Sequence, residues 1–232
     1  NFKDFEWIII IEKEDIKTIE MINLFKKKYS FVKSIIGEFR SIEKAFNIGI
    51  NTAQGKYILL KPDDDFLSED ALSTFYESSK DKKDHKWFVG LGEYYKSKRK
   101  IIIYIKKKLI QNYSFANLIL INFLMTPSVY LSNSLLKKIG GLDEKFGHGS
   151  DYQLWLKIGS LHNPYVINKV LSYATIDTTT QTGQFEPDKY FRILSEVKKY
   201  NKKSSIICLL QIFFTLCVVS FNFIRKIYYS IR

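Results

Sequence analysis

Four apolar residues, Tyr57-Ile58-Leu59-Leu60, run into Lys61, Pro62 and three consecutive aspartates, Asp63-Asp64-Asp65. The apolar run is short and β-prone, the pattern of a buried strand. Pro62 has no N–H to give to a ladder and stops the strand. Three carboxylates therefore stand on a turn at a strand's end. Adjacent like charges repel, and a fold gains nothing by gathering them. A hard divalent cation, Mg²⁺ or Mn²⁺, relieves that repulsion through carboxylate oxygens. One or two carboxylates plus phosphate oxygens would complete its shell. The plainer alternative is a solvated acidic turn ahead of the next helix.

The flanking sequence alternates strand and helix patterns, which points to an α/β domain. Residues 7–11, Trp7-Ile8-Ile9-Ile10-Ile11, read as a strand. Residues 16–28 place Ile16, Ile19, Ile22 and Phe25 on one helical face with lysines opposite. Residues 31–36 read as a second short strand. Residues 41–53 read as a helix with Ser41 as N-cap and Gly55 as C-cap. A further helix opens at Ser68-Glu69-Asp70 and runs to about residue 79. Residues 87–91 and 100–105 read as strands of a hairpin around the basic turn 96–100. Residues 131–139 read as a helix ended by Gly140-Gly141, and residues 151–161 as another, rich in Tyr, Leu and Trp.

The chain has 232 residues, enough for a full domain with a sizeable core. Lys and Arg number 36 against 24 Asp and Glu, a net charge of +12. That surplus favours an anionic partner. Zinc-finger spacing and basic-aromatic RNA-binding signatures are absent, so nucleic acid is the weaker choice. Cys208 and Cys217 are the only cysteines. On one helix they would lie about 13 Å apart at ~1.5 Å per residue, beyond the ~7 Å reach of a disulfide. Residues 204–224 are uncharged and mostly apolar, between Lys202-Lys203 and Arg225-Lys226. A membrane span needs about 20 such residues. The readings are a spanning helix, a helix lying in the interface, or a packing helix. The expected organisation is a domain over residues 1–200 and a hydrophobic helix over 204–224.

Three segments together resemble the family 2 glycosyltransferases, which have the GT-A fold. Phe5-Glu6-Trp7-Ile8-Ile9-Ile10-Ile11-Glu12 is similar to that family's second strand, with Glu12 in place of an acidic residue that contacts the nucleotide base. Lys13-Glu14-Asp15 departs from the family's Asp-Gly-Ser type of turn. Ala45 through Leu60 is similar to the family's Asn-x-Gly helix, here Asn47-Ile48-Gly49, its Ala-x-Gly turn, here Ala53-Gln54-Gly55, and its acidic strand end. Aligned without gaps, Pro62 takes the place of the family's first Asp. Asp63, or Asp64 with Asp65, then supplies the metal ligands. Thr126 through Lys157 is similar to the acceptor half, where the general base is the Asp opening a Tyr/Leu/Trp-rich helix. Asp151 matches it, and Ser150 replaces the Glu that often precedes it.

The resemblance spans roughly residues 1–175 and implies an α/β, GT-A-type mixed sheet flanked by helices. It also implies an N-terminally incomplete domain, because the family places a further strand and helix before the strand matched at 7–11. The implied activity is inverting transfer of a sugar from a nucleotide-diphosphate donor to a glycan or lipid-linked hydroxyl, in cell-surface polysaccharide, lipopolysaccharide or glycolipid synthesis. Asp151 is the implied base. Glu12, Asn47, Gly49, Asp63 and Asp64 are the implied donor contacts, and Asp64 with Asp65 the implied ligands of Mg²⁺ or Mn²⁺. The basic surface and apolar C-terminal stretch imply the cytoplasmic face of a cell membrane. The rivals are an inactive relative, a nucleotidyltransferase, and a basic membrane-bound interaction protein.

Overall fold

The computed structural model describes residues 2–95, 100–175 and 187–200; the apolar stretch 204–224 and the triplet Thr178-Thr179-Thr180 lie outside them. The chain alternates strand and helix from its first element. Strand β1, Trp7–Glu12, leads through helix α1, Ile16–Lys28, to strand β2, Val32–Gly37. Asp15 caps α1 by accepting from the Thr18 N–H, and three lysines fill the last turn, where the helix dipole favours cations. Helix α2, Ile42–Thr52, carries the expected Ser41 cap, which accepts from the Lys44 N–H at 3.1 Å. It ends on Ala53 rather than Gly55. Strand β3, Tyr57–Leu59, follows, then the two-residue strand β4, Phe66–Leu67, and helix α3, Ala71–Asp81.

The strands form two sheets. β1 and β2 pair in parallel as a two-stranded ribbon. The other five form a mixed sheet in the order β3-β6-β5-β7-β4, with β5, Trp87–Tyr94, at its centre. Strand β6, Val129–Ser132, lies antiparallel between β3 and β5. Strand β7, Tyr165–Ala174, runs parallel to β5 and antiparallel to β4. Glu6 joins the two sheets. Its carboxylate accepts from the N–H groups of Gln54 and Gly55 at 2.7 and 3.0 Å and from Lys33 at 2.7 Å. Burial would raise its pKa, but these three donors outweigh that effect and hold it low.

The main core is built on the five-stranded sheet and includes Trp87, Val89, Leu131, Phe123, Leu136 and Trp155. A second cluster, Phe75, Phe88, Ile167 and Leu171, lies under α3. The ribbon and α1 keep a small core of their own, Ile11, Ile22 and Val32.

Two expectations fail. Residues 100–105 belong to helix α4, Lys100–Gln111, and not to a hairpin strand. Strand β5 pairs with β7 along residues 88–94 and with β6 only at 87–89, and the chain returns to it as a helix whose Lys106 and Lys107 reach Tyr94 and Glu93. The segment 131–139 begins as the end of β6 and becomes helix α6 only at Asn133–Ile139, because residues 129–132 are needed between β3 and β5. The short helix α5, Phe115–Leu120, precedes a 3-10 turn, Thr126–Ser128. Helix α7, Ser150–Gly159, and helix α8, Pro187–Tyr200, complete the described chain. No helix among the described residues is long and apolar enough to cross a membrane.

Candidate active site

The acidic turn stands where the strand pattern placed it, between β3 and β4. Asp63 and Asp64 are exposed and Asp65 is buried. The turn is locked from inside: the Asp65 N–H bonds the Pro62 carbonyl, and the Asp64 N–H bonds Asp63 Oδ1 at 3.1 Å. Thr175, just past β7, holds it from across the sheet. Its N–H donates to Asp65 Oδ1 at 3.1 Å and its hydroxyl to the Asp64 carbonyl at 2.6 Å. Burial pushes the Asp65 carboxyl up to about 6, the Thr175 N–H opposes this, and the Asp64 charge adds to the rise. Burial therefore works against ionisation of the innermost carboxyl of the turn, Asp65.

No three Asp, Glu, His or Cys side chains among the described residues converge as a metal cage. Asp64 and Asp65 adjoin on the turn and are the carboxylates that would serve a Mg²⁺-type ion, whose shell takes one or two from protein and the rest from phosphate and water.

Asp151 occupies the first turn of α7, where a carboxylate is favoured by the helix dipole. Gly149 caps the helix at φ 98°, a left-handed conformation that suits glycine. Asp151 is half-buried. Its Oδ2 accepts from the Thr126 hydroxyl at 3.2 Å, and its Oδ1 from the Tyr152 N–H at 2.7 Å. Thr126 links it back to the sheet. Two residues on, Ser128 bonds Ser172 of β7, and Ser172 pairs with Leu67, two residues after Asp65. Gly92 of β5 makes room for this crossing, because a Cβ there would lie 2.2 Å from Met125 Sδ and 3.0 Å from Ser128 Oγ. The acidic turn and Asp151 are thus tied to one end of β4 and β7 through a short chain of contacts.

Glu12 closes β1. Both its oxygens accept from the Phe39 N–H, at 3.1 and 3.2 Å, and Oε1 also accepts from the Arg40 N–H at 3.0 Å. Arg40 sits at φ 61°, so this carboxylate stabilises a left-handed non-glycine residue. Asn47 projects from α2 onto the loop before α7. Its amide donates to the Leu142 carbonyl at 2.9 Å and to Glu144 at 3.0 Å, and its Oδ1 accepts from the Leu142 N–H at 2.9 Å. Gly141, at φ 67°, leaves space for it; a Cβ would stand 2.3 Å from Asn47 Oδ1. Gly49 packs over β1, and a Cβ there would meet Ile10 first, at 3.8 Å. The structure therefore brings Asn47 to the loop that leads into Asp151, and Glu12 to the loop that leads into α2.

Glu43 is not legible in the sequence as a site residue. It is buried in the first turn of α2 and accepts from the buried Ser150 hydroxyl at 2.9 Å. Ser150 is the residue just before Asp151. The Glu43 carboxylate thus reaches the start of α7 from another helix, a contact no local sequence signal marks.

The curled mixed sheet and its flanking helices form an α/β fold that solved glycosyltransferase-type structures share. No protein-family model matches the sequence, and no curated protein does. The likeness is carried by solved structures. Crystal structures of S. aureus TarS 1-349 superpose at a TM-score of 0.71 with UDP-GlcNAc bound, covering 92% of this chain and 64% of that one at 15% identity. The same protein with UDP gives a TM-score of 0.66 over 92% and 63% at 16% identity. Without either ligand the values are 0.68, 88%, 59% and 14%. At these identities the likeness is one of fold, and the chain spans about three fifths of the length of those TarS chains.

Proposed function

We propose that this chain transfers a sugar, with inversion, from a nucleotide-diphosphate donor to a hydroxyl acceptor, in the manner of the family 2 glycosyltransferases. The observation that carries the reading is the acidic turn between β3 and β4, in a fold shared with a protein crystallised with UDP-GlcNAc. The donor lies along the strand ends, with Asp63 and Asp64 on its diphosphate side. Asp64 and Asp65 would hold Mg²⁺ or Mn²⁺, which would supply positive charge against the leaving diphosphate. Glu12 and Asn47 act on the donor through the loops that they fix, and Gly49 through the close seating of α2 on β1.

Asp151 is the base. The acceptor oxygen attacks the anomeric carbon from the face opposite the leaving group. As the new C–O bond forms, the old bond to the diphosphate breaks with its electron pair on the diphosphate oxygen. The hydroxyl proton passes to a carboxylate oxygen of Asp151. The Thr126 hydroxyl and Tyr152 N–H orient that carboxylate before the acceptor arrives. A product glycan or glycolipid of the cell surface fits this chemistry.

The test is calorimetric titration with UDP, GDP and dTDP, with and without Mn²⁺. Metal-dependent binding of one of them is expected, weakened in Asp64→Asn/Asp65→Asn. Asp151→Asn should bind donor as the parent does and lose turnover by at least about 10²-fold. Folded protein that binds none of the three overturns the reading, and turnover retained in Asp151→Asn removes that residue as base.

A further inference from the structure

We propose that the outward face of α4 docks on an anionic lipid bilayer. The helix is held to the protein by the side that carries Lys106, Lys107 and Ile110. Lys106 donates to the Tyr94 hydroxyl at 2.7 Å, Lys107 pairs with Glu93, and Ile110 is buried in the main core. A turn and more of the opposite side is apolar and uncovered. Ile101 is 76% exposed and Tyr104 61%, and Ile102 and Ile105 are exposed beside them. At 100° per residue, Ile101, Ile105 and Lys108 fall on one line, with Ile102 and Tyr104 on its flanks. This inverts the usual amphipathic helix of a water-soluble surface, which turns its isoleucines inward.

Charge identifies the occupant. Residues 96–112 contain seven basic side chains and no acidic one, beginning Lys96-Ser97-Lys98-Arg99-Lys100. An apolar face on so basic a stretch of sequence, with Lys108 exposed beside it, suits a surface with apolar depth and anionic headgroups. Isoleucines enter the acyl boundary, and the ammonium groups stay at the phosphates. A 12-residue helix is about 18 Å long, too short for a hydrocarbon core of about 30 Å, so it lies in the plane. Where β5 ends and the chain turns toward α4, Phe66 and Tyr95 form an exposed aromatic pair with ring centroids 5.4 Å apart. Such rings favour the headgroup level. The competing occupants carry the wrong charge. A second copy would set two basic faces together, and the chain's own apolar stretch at 204–224 is flanked by Lys202, Lys203, Arg225 and Lys226.

Phe66 directly follows Asp65, so docking through this surface brings the acidic turn to the lipid. Joined to the proposed transfer, on which this last step rests, it makes the acceptor a lipid-linked hydroxyl. The docking itself stands without that reading.

The experiment uses the full chain with Cys208→Ser and Cys217→Ser. A single cysteine is placed by Ile105→Cys and labelled with an environment-sensitive fluorophore; Leu24→Cys, at an exposed site on α1, is the control. Vesicles are phosphatidylcholine with and without phosphatidylglycerol. The expected result is a blue shift at 105 with anionic vesicles, little with neutral ones, none at 24, and loss of the shift when Ile101→Asp and Lys108→Glu are added. Absence of a shift at 105 in protein that pellets with vesicles overturns the proposal and leaves anchoring to another segment. An equal shift with neutral vesicles overturns the anionic preference. Emission already blue without lipid shows that the chain or a second copy covers the face, which also overturns it. None of these readouts involves turnover or nucleotide, so their failure is separate from failure of the transfer reading.

Discussion

Removing the Glu43 carboxylate should loosen the start of α7 and with it the candidate base. Glu43 and Ser150 are both buried, and their bond at 2.9 Å joins residues 107 apart in sequence. A hydrogen bond to a charged group is worth about 1.5–3 kcal/mol, and a hydroxyl left buried without a partner adds to the loss. Glu43→Ala should therefore cost about 2–3 kcal/mol. For a chain of this size that is roughly 4–12 °C in Tm. Glu43→Gln keeps an acceptor oxygen for Ser150 and should cost about 1 kcal/mol, because a neutral bond is about half as strong. The decisive variant exchanges the pair, Glu43→Ser with Ser150→Glu. It restores the contact with the carboxylate on the other helix and should recover most of the lost Tm. Urea unfolding gives the stability arm. Donor turnover gives the positional arm, since misplacing Asp151 by about 1 Å can cost up to ~10²-fold in rate. A loss under about 0.5 kcal/mol in Glu43→Ala, within the range of ordinary surface changes, refutes the argument. So does an exchange variant no better than the worse single.

Other perturbations have equally definite outcomes. Gly141→Ala puts a methyl 2.3 Å from Asn47 Oδ1 at a left-handed position, and should cost about 2–4 kcal/mol in urea unfolding. Because both changes break one clamp, Gly141→Ala and Asn47→Ala should be less than additive in a double-mutant cycle, and strict additivity would show that the clamp is not shared. Asp65 is an acid whose folded pKa, about 6, lies above its ordinary 3.8. The native state then binds the extra proton between those values, so the metal-free protein should lose stability as pH rises from about 4 to 6. Asp65→Asn should flatten that slope and gain about 1–3 kcal/mol at pH 8 over the parent, with no gain below pH 4; a variant that is equally stable at both pH values relative to the parent would contradict the burial of that charge.

The alternating half of the fold is legible because its signals are local. Ile16, Ile19, Ile22 and Phe25 fix α1 by period alone, and Ser41 marks the start of α2 through its own cap. The helix read over 151–161 is legible from its apolar residues, and opens one residue earlier, at Ser150. The failures are non-local. Ile101-Ile102-Ile103-Tyr104-Ile105 has the composition of a strand, yet it opens a helix whose Lys106 and Lys107 bond Tyr94 and Glu93 of β5, contacts that local composition does not encode. Strand β7 shows no clean alternation because it lies between β5 and β4 and is partly covered on both faces. Glu43 looks like any acidic residue in a first turn until Ser150 is brought against it. Asn47 is legible as a marked residue, but its partners at Leu142 and Glu144 are not.

The division of the strands into a five-stranded sheet and a separate ribbon sets the order in which the molecule comes apart. A two-stranded pair is marginal alone, and this one rests on three buried side chains, α1, α2 and the Glu6 clamp. Its amides should exchange with solvent through openings that leave β5, β6 and β7 protected, at a free energy below that of global unfolding. Glu12 and the loop at Phe39-Arg40 belong to the part that opens; Asp151, Thr126 and the acidic turn belong to the part that stays. The Glu12 end of the ribbon therefore breathes on its own clock, while Asp151 and the acidic turn keep the time of the whole fold.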